Sequence, residues 1–189
     1  MNATRFQIRP GTVSDAALLA SFAARTFAET FGPDSKPEDM RAHLESSYGV
    51  SQQGRELADP TVSTLMVFEG ETLVAFAQLR RSTPPLCVTE PSSLEVYRFY
   101  VDKPAHGLGV AQRLMAAVKG GAREWEGQHV WLSVWERNAR AIAFYTKAGF
   151  VDVGQTDFFL GPDRQTDRVL VASTMDREDA ADRTGVRPT

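Results

Sequence analysis

The stretch Leu94-Glu95-Val96-Tyr97-Arg98-Phe99-Tyr100-Val101-Asp102-Lys103-Pro104-Ala105-His106-Gly107-Leu108-Gly109-Val110-Ala111-Gln112 decides how this chain is read. Leu94 to Val101 is rich in aromatic and branched residues, the signature of a strand. A loop holding Gly107-Leu108-Gly109 follows. Apolar residues then recur at Val110, Leu114, Val118, Ala122 and Trp125, in helical steps of three and four. Glycines let a backbone approach a ligand closely, and the unpaired amides of a helix's first turn converge on an anion. A phosphate-binding turn is one reading of that order. A tight strand-to-helix turn with no ligand is the other, and a bare Gly-x-Gly does not separate them. No Gly-Lys-Ser/Thr follows, and the three-glycine dinucleotide fingerprint is absent, so two familiar nucleotide motifs are set aside.

Upstream, Phe6 to Arg9 reads as a short strand that stops at Pro10-Gly11. Ser14-Asp15 then looks like a helix cap ahead of Leu19, Phe22, Ala23, Thr26, Phe27, Thr30 and Phe31, which share a helical face up to Gly32-Pro33. Pro37-Glu38-Asp39 opens a second helix carrying Met40, Leu44 and Tyr48. Thr64 to Phe68 and Leu73 to Leu79 form a hairpin pattern around Glu69-Gly70-Glu71. Residues 82–92 read as a surface loop. Downstream lie a strand over Val130 to Val134, a helix over Asn138 to Lys147 closed by Gly149, and strands over Phe150 to Val153 and Arg168 to Met175. Strands joined by hairpins are expected to be antiparallel and strands joined through a helix parallel. The sum is a single-domain α/β fold over residues 1–175 with a mixed, mostly antiparallel central sheet, followed by an apolar-poor tail at 176–189 expected to be disordered.

Composition narrows the classes. The chain has 189 residues, a net charge of -3 and a sequence pI near 5.7. It lacks the basic footprint of a nucleic-acid binder. No run approaches the ~18 apolar residues of a membrane span, and the first residues hold no signal-peptide core. Cys87 is the single cysteine, which excludes an intramolecular disulfide and a multi-thiolate zinc site and suits a reducing cytoplasm. His43 and His129 have no partners at ligand spacing, so no metal is expected. Trp131 and Trp135 read as packing or dimer-surface aromatics.

The run Asn138-Ala139-Arg140-Ala141-Ile142-Ala143-Phe144-Tyr145-Thr146-Lys147-Ala148-Gly149-Phe150 adds a second motif. Tyr145 lies seven residues, about two turns, beyond Asn138 and on nearly the same face. A capping Asn and a core Tyr fit that spacing, and so do an amide and a phenol reaching one ligand. Taken together, the Gly107–Ala111 loop and the Asn-x-x-Ala-x-x-x-Tyr-x-x-x-Gly-Phe run at Asn138 to Phe150 resemble the GNAT superfamily of acyl-CoA-dependent N-acyltransferases. The likeness spans roughly residues 5–175. Thr26 to Gly32, Phe159-Leu160-Gly161 and Gln165-Thr166-Asp167 are similar to the PaiA-like polyamine acetyltransferase group within it. His106 departs from the pattern, standing where the family carries Gln or Arg.

The resemblance implies a fold splayed at an acyl-CoA cleft. It also implies direct transfer of an acetyl group from acetyl-CoA to an amine, with no metal. By position, Tyr145 is the acid toward the CoA sulfur and the main chain near Val101 is the oxyanion donor. Phe99, Tyr100 and Val101 would meet the pantetheine. Gly107, Leu108, Gly109, Val110, Ala111 and Gln112 would surround the diphosphate, and Asn138 would touch pantetheine or a water. Phe27, Thr30 and Phe31 would wall the acceptor pocket. Where some members carry an acid five residues before the motif Asn, this chain has Ser133. Glu95, six residues before Val101 and expected by strand alternation to share a face with Tyr97, Phe99 and Val101, stands at the spacing where some members place their carboxylate; the resemblance makes it the candidate base, with a solvated or salt-bridged strand carboxylate as the other reading. The expected partner is a small amine, polyamine-like among the options, with a homodimer also open. The rivals are an acyl-CoA sensor without turnover and an acetyltransferase of protein N-termini or lysines.

Overall fold

The computed structural model describes residues 5–175, so the tail expected at 176–189 lies outside the described residues. Seven strands form one sheet: β1 (Gln7–Pro10), β2 (Val62–Glu69), β3 (Thr72–Arg80), β4 (Ser93–Val101), β5 (His129–Trp135), β6 (Val151–Leu160) and β7 (Asp163–Ser173). Their spatial order is β1-β2-β3-β4-β5-β7-β6. Five helices flank the sheet: α1 (Ala16–Phe31), α2 (Pro37–Tyr48), α3 (Val50–Ala58), α4 (Val110–Glu124) and α5 (Ala139–Lys147). Every neighbouring pair is antiparallel except β4 and β5, which are joined through α4.

The sheet is covered on both faces. On one, α4 and α5 bury Leu94, Val96, Leu114, Val118, Leu132 and Tyr145 in a single cluster. On the other, α1 and α2 bury Leu19, Phe22, Phe27, Met40 and Tyr48 against Met66, Phe76 and Leu160. Arg25 on α1 makes a two-pronged ion pair with Asp102 (2.8 and 3.0 Å), fixing that helix to the loop after β4. The guanidinium holds the Asp102 carboxyl below its ordinary pKa.

Four expectations are corrected. Helix α3 has no counterpart in the sequence reading. It contains Gly54 and buries one residue, Gln53, so it lacks an apolar stripe. Of the expected Ser14-Asp15 pair, Asp15 stands at the N-cap of α1. A short 3-10 turn over Val13–Asp15 precedes the helix, with Thr12 and Asp15 forming a reciprocal capping box. Strand β1 runs antiparallel to β2 although helices connect them, because the three helices return the chain to the end where β1 stops, with Pro10 opposite Leu65 near the start of β2. Strands β6 and β7 are longer than expected and pair from Val151↔Val171 to Leu160↔Asp163. The outer strand β6 is exposed at Val151, Asp152, Gln155, Asp157 and Phe159, so polar residues hide its period. Residues 82–92 are not wholly a surface loop: Val88 is buried against Trp131, Val169 and Val171.

Candidate active site

A cleft of about 900 Å³ opens where β4 and β5 part. Their pairing runs only through Ser93↔His129, Leu94↔Val130 and Glu95↔Trp131. Just beyond, β4 carries a bulge. Gln78 lies opposite Arg98 and Leu79 opposite Val96, which leaves Tyr97 as the extra residue. A bulge bends its strand and sharpens the local twist, which turns the end of β4 away from β5. Asp102 N–H donates to Val74 O on β3 (2.8 Å). By alternation, the backbone N–H and C=O groups of Phe99 and Val101 point the other way, into the gap.

The same bulge changes which residues share a face. Glu95, Tyr97, Phe99 and Val101 do not lie together. Glu95 sits with Arg98 and Tyr100 on the α1–α2 face, opposite Arg80, Gln78 and Phe76. Phe99 and Val101 join Leu94 and Val96 toward α4 and α5. Alternation fails because one extra residue moves every later side chain to the other side. The Tyr100 ring stacks on Phe76 (5.5 Å), and its hydroxyl meets that of Tyr48 at 3.1 Å. Its side chain thus faces the α1–α2 side, away from the glycine loop. Burial raises the Tyr100 pKa well above the phenol range.

The gap is a passage through the sheet. On the α4–α5 side, Gly107 and Gly109 take φ of +78° and +79°, and a Cβ built at either would meet no atom within 4 Å. The first-turn amides of Val110, Ala111 and Gln112 follow directly, and all three residues line the cleft with Gly107 and Gly109. Open space, left-handed glycines and free helix-start amides fit a diphosphate. Leu108 points outward, 42% exposed, and does not line the cleft. His106 Nε2 donates to Val101 O (2.8 Å), which fixes the loop against the end of β4. Asn138 is the N-cap of α5, its Oδ1 accepting from Ala141 N at 3.1 Å, and it also lines the cleft. Tyr145 is buried among Phe99, Phe144 and Phe150 (ring centres at 6.1, 5.3 and 5.5 Å). Among the described residues no hydrogen bond ties its hydroxyl. Burial raises its pKa, so the phenol keeps its proton across the neutral range.

On the α1–α2 side, aromatic rings form the walls. Phe27 packs on Phe31 (4.5 Å), His43 (4.7 Å) and Tyr48 (5.2 Å). Phe31 reaches Trp135 (5.7 Å) and His43 reaches Phe158 (5.8 Å). Thr30 lines the same wall while its hydroxyl donates to Thr26 O (2.8 Å). Burial lowers the His43 pKa, so the ring stays neutral at pH 7. Beneath them, Arg98 is buried against Glu56 and Gln78, with Tyr48 and Tyr97 over its guanidinium. Glu95 Oε2 is held by Arg80 at 2.5 Å. Asp167, on β7, also lines the cleft with its side chain buried.

Sequence reading thus missed His43, Tyr48, Trp135, Phe158 and Asp167 as cleft residues. The helical face of α1 pointed to this wall, but strand pairing alone brings Trp135 and Asp167 to it. Among the described residues no cluster of three or more His, Cys, Asp or Glu side chains could hold a metal ion, and no helix is long and apolar enough to cross a membrane.

Comparison with known proteins agrees with this geometry. Residues 23–150 match the model of the acetyltransferase (GNAT) family. An uncharacterized N-acetyltransferase from Lactobacillus delbrueckii is 34% identical over 77% of this chain and 84% of its own length. An uncharacterized N-acetyltransferase from Mycobacterium tuberculosis is 31% identical over 84% of this chain and 97% of its own. The crystal structure of PaiA N-acetyltransferase from Thermoplasma acidophilum with coenzyme A shares the fold. Its TM-score is 0.72 at 17% identity, covering 89% of this chain and 98% of that one. The chain belongs to the GNAT family of acetyltransferases. It is an acetyl-CoA-dependent N-acetyltransferase of that family.

Proposed function

We propose that this enzyme transfers the acetyl group of acetyl-CoA to a primary amine of a small molecule, by direct attack with both substrates bound. The observation that carries this is the passage through the sheet. A glycine cradle and one phenol lie on one side of it, and an aromatic pocket with the carboxylates of Glu29, Glu95 and Asp167 lies on the other.

Each step falls to named groups. Amides of Gly107, Gly109, Val110, Ala111 and Gln112 hold the diphosphate, and the inward backbone of Phe99 and Val101 meets the pantetheine like an added strand. The Val101 N–H faces the gap while its C=O is taken by His106, so the N–H is the donor available to a developing oxyanion. Tyr145 gives its proton to the departing sulfur. The amine arrives as an alkylammonium with a pKa near about 10 and must lose a proton before it can attack. Glu29, Glu95 and Asp167 are the carboxylates lining its side of the cleft, and Glu29 is held between Arg25 and Lys103. Phe27, Phe31, His43 and Trp135 offer ring faces to a cation, which favours an acceptor of polyamine or arylalkylamine type.

The test is thiol release from acetyl-CoA with a panel of primary amines. Tyr145→Phe should lower kcat about 100-fold or more while coenzyme A binds as before. A variant as fast as the parent enzyme would remove Tyr145 from the reaction. An enzyme that binds coenzyme A and acetylates no amine would refute the proposal.

A further inference from the structure

Resting on the amine acetyltransfer proposed above, we infer that Asp167, working through the Ser133 hydroxyl, takes the proton from the acceptor amine in place of Glu95.

Strand register brings the pair together. Trp135 lies opposite Asp167, and Ser133 opposite Val169, across the antiparallel β5–β7 ladder. Asp167, Ser133 and Trp135 therefore point from the same face, the acceptor side, and all three line the cleft. Asp167 is 7% exposed, yet no ion pair among the described residues involves it. A carboxylate in that condition is expensive to keep unless a substrate meets it. Ser133, two residues before its register partner Trp135 and on the same face, presents the neighbouring hydroxyl on β5. Ser133 occupies the position where the sequence resemblance leads one to expect an acid, and it opens to the cleft. The carboxylate is supplied by the neighbouring strand, two sheet positions away on the diagonal.

The surroundings set its basicity. From β5 it faces Ser133 and Trp135, and its register partner on β6 is Thr156. Glu136, just past β5, is the charge it feels. The cations lining the cleft, Arg98, Lys103, Arg140 and Lys147, stand on other elements, and Arg98 is already held by Glu56. Burial pushes the Asp167 carboxyl up to about 6, the Ser133 hydroxyl pulls against this, and Glu136 adds to the rise. Glu95 differs in having an arginine on one oxygen, and that arginine lies 3.4 Å over the Tyr97 ring.

The protons balance. An alkylammonium sheds two on becoming an amide. One passes through Ser133 Oγ to Asp167, which returns it to solvent. The other leaves as the new C–N bond forms and the C–S bond breaks, and it replaces the proton that Tyr145 gives to the sulfur. Ser133 is thus the hydroxyl that meets the amine, and Asp167 the carboxylate that acts through it.

The experiment measures kcat/KM against pH, using acetyl-CoA with spermidine, hexylamine and phenethylamine, beside calorimetric binding of coenzyme A. The parent enzyme should show an acid limb near about 6. Asp167→Asn should lose that limb and fall about 100-fold or more, with coenzyme A affinity within about twofold. Ser133→Ala should fall less and keep the limb. Glu95→Gln should keep it whatever its rate. An active parent whose Asp167→Asn variant retains the limb, or whose limb disappears with Glu95→Gln, overturns the inference alone. A parent that binds coenzyme A and acetylates none of the amines overturns the acetyltransfer proposal and this inference with it. Tryptophan fluorescence gives a readout independent of turnover. A transition near about pH 6 from Trp135, present in the parent and absent in Asp167→Asn, is expected, and its presence in both proteins counts against Asp167.

Discussion

Replacing Asp167 by Asn should stabilise this protein, and the gain should grow with pH. The folded state holds the Asp167 carboxyl at about 6 against an ordinary 3.8, through burial. A pKa raised on folding means that the native state prefers the protonated form. Asp167 therefore weakens the fold once ionised. Its contribution is most favourable below about pH 4 and is lost as pH rises through about 6. Every tenfold difference in proton affinity between the folded and unfolded chain is worth about 1.36 kcal/mol, so the full cost above about pH 7 is about 3 kcal/mol. Asn has the same shape and cannot ionise. At about pH 4.5 the unfolded carboxyl is already largely ionised and about 1 kcal/mol of that cost is present. The advantage of Asp167→Asn should then widen by about 2 kcal/mol between about pH 4.5 and about pH 8. Urea unfolding of both proteins across that range measures it, because the titrations of all other groups cancel in the difference. A gap that stays flat with pH, or a variant less stable than its parent at about pH 8, would refute the reasoning. Less activity with more stability in one substitution is the mark of a buried charge kept for chemistry.

Further outcomes follow from other positions. Arg98→Met should cost about 3–5 kcal/mol in the same assay, because it strands the Glu56 carboxylate and Gln78 in the interior. Gly109→Ala should cost about 1–2 kcal/mol from its left-handed backbone alone, since its Cβ meets no protein atom within 4 Å. A coenzyme A affinity that falls as well, read by calorimetry, reports the methyl standing in the diphosphate's path. Raising pH through the neutral range should leave the protonation of Tyr145 unchanged, because burial lifts the phenol. Turnover at about pH 8 should accordingly not decline on its account, and a basic limb that vanishes in Tyr145→Phe would contradict this.

The sequence by itself determined the parts governed by local chemistry. The Gly107–Gly109 turn, the α4 stripe from Val110 to Ala122, the Asn138 cap with Tyr145 two turns on, and the single-domain α/β class all rest on spacing within a few residues of one another. Tyr145 and the glycine loop could be named because their motifs are contiguous. Only the tertiary structure decided which side of the sheet each strand residue serves. The extra residue at Tyr97 reverses the alternation that placed Glu95 beside Phe99, and nothing in a string of branched and aromatic residues marks where a bulge falls. Asp167 and Trp135 meet Phe31 and Ser133 only because β7 inserts between β5 and β6, a long-range pairing with no local code. Helix α3, held by the buried amide of Gln53 and the Arg98–Glu56 pair rather than by an apolar stripe, is likewise fixed by what packs on it.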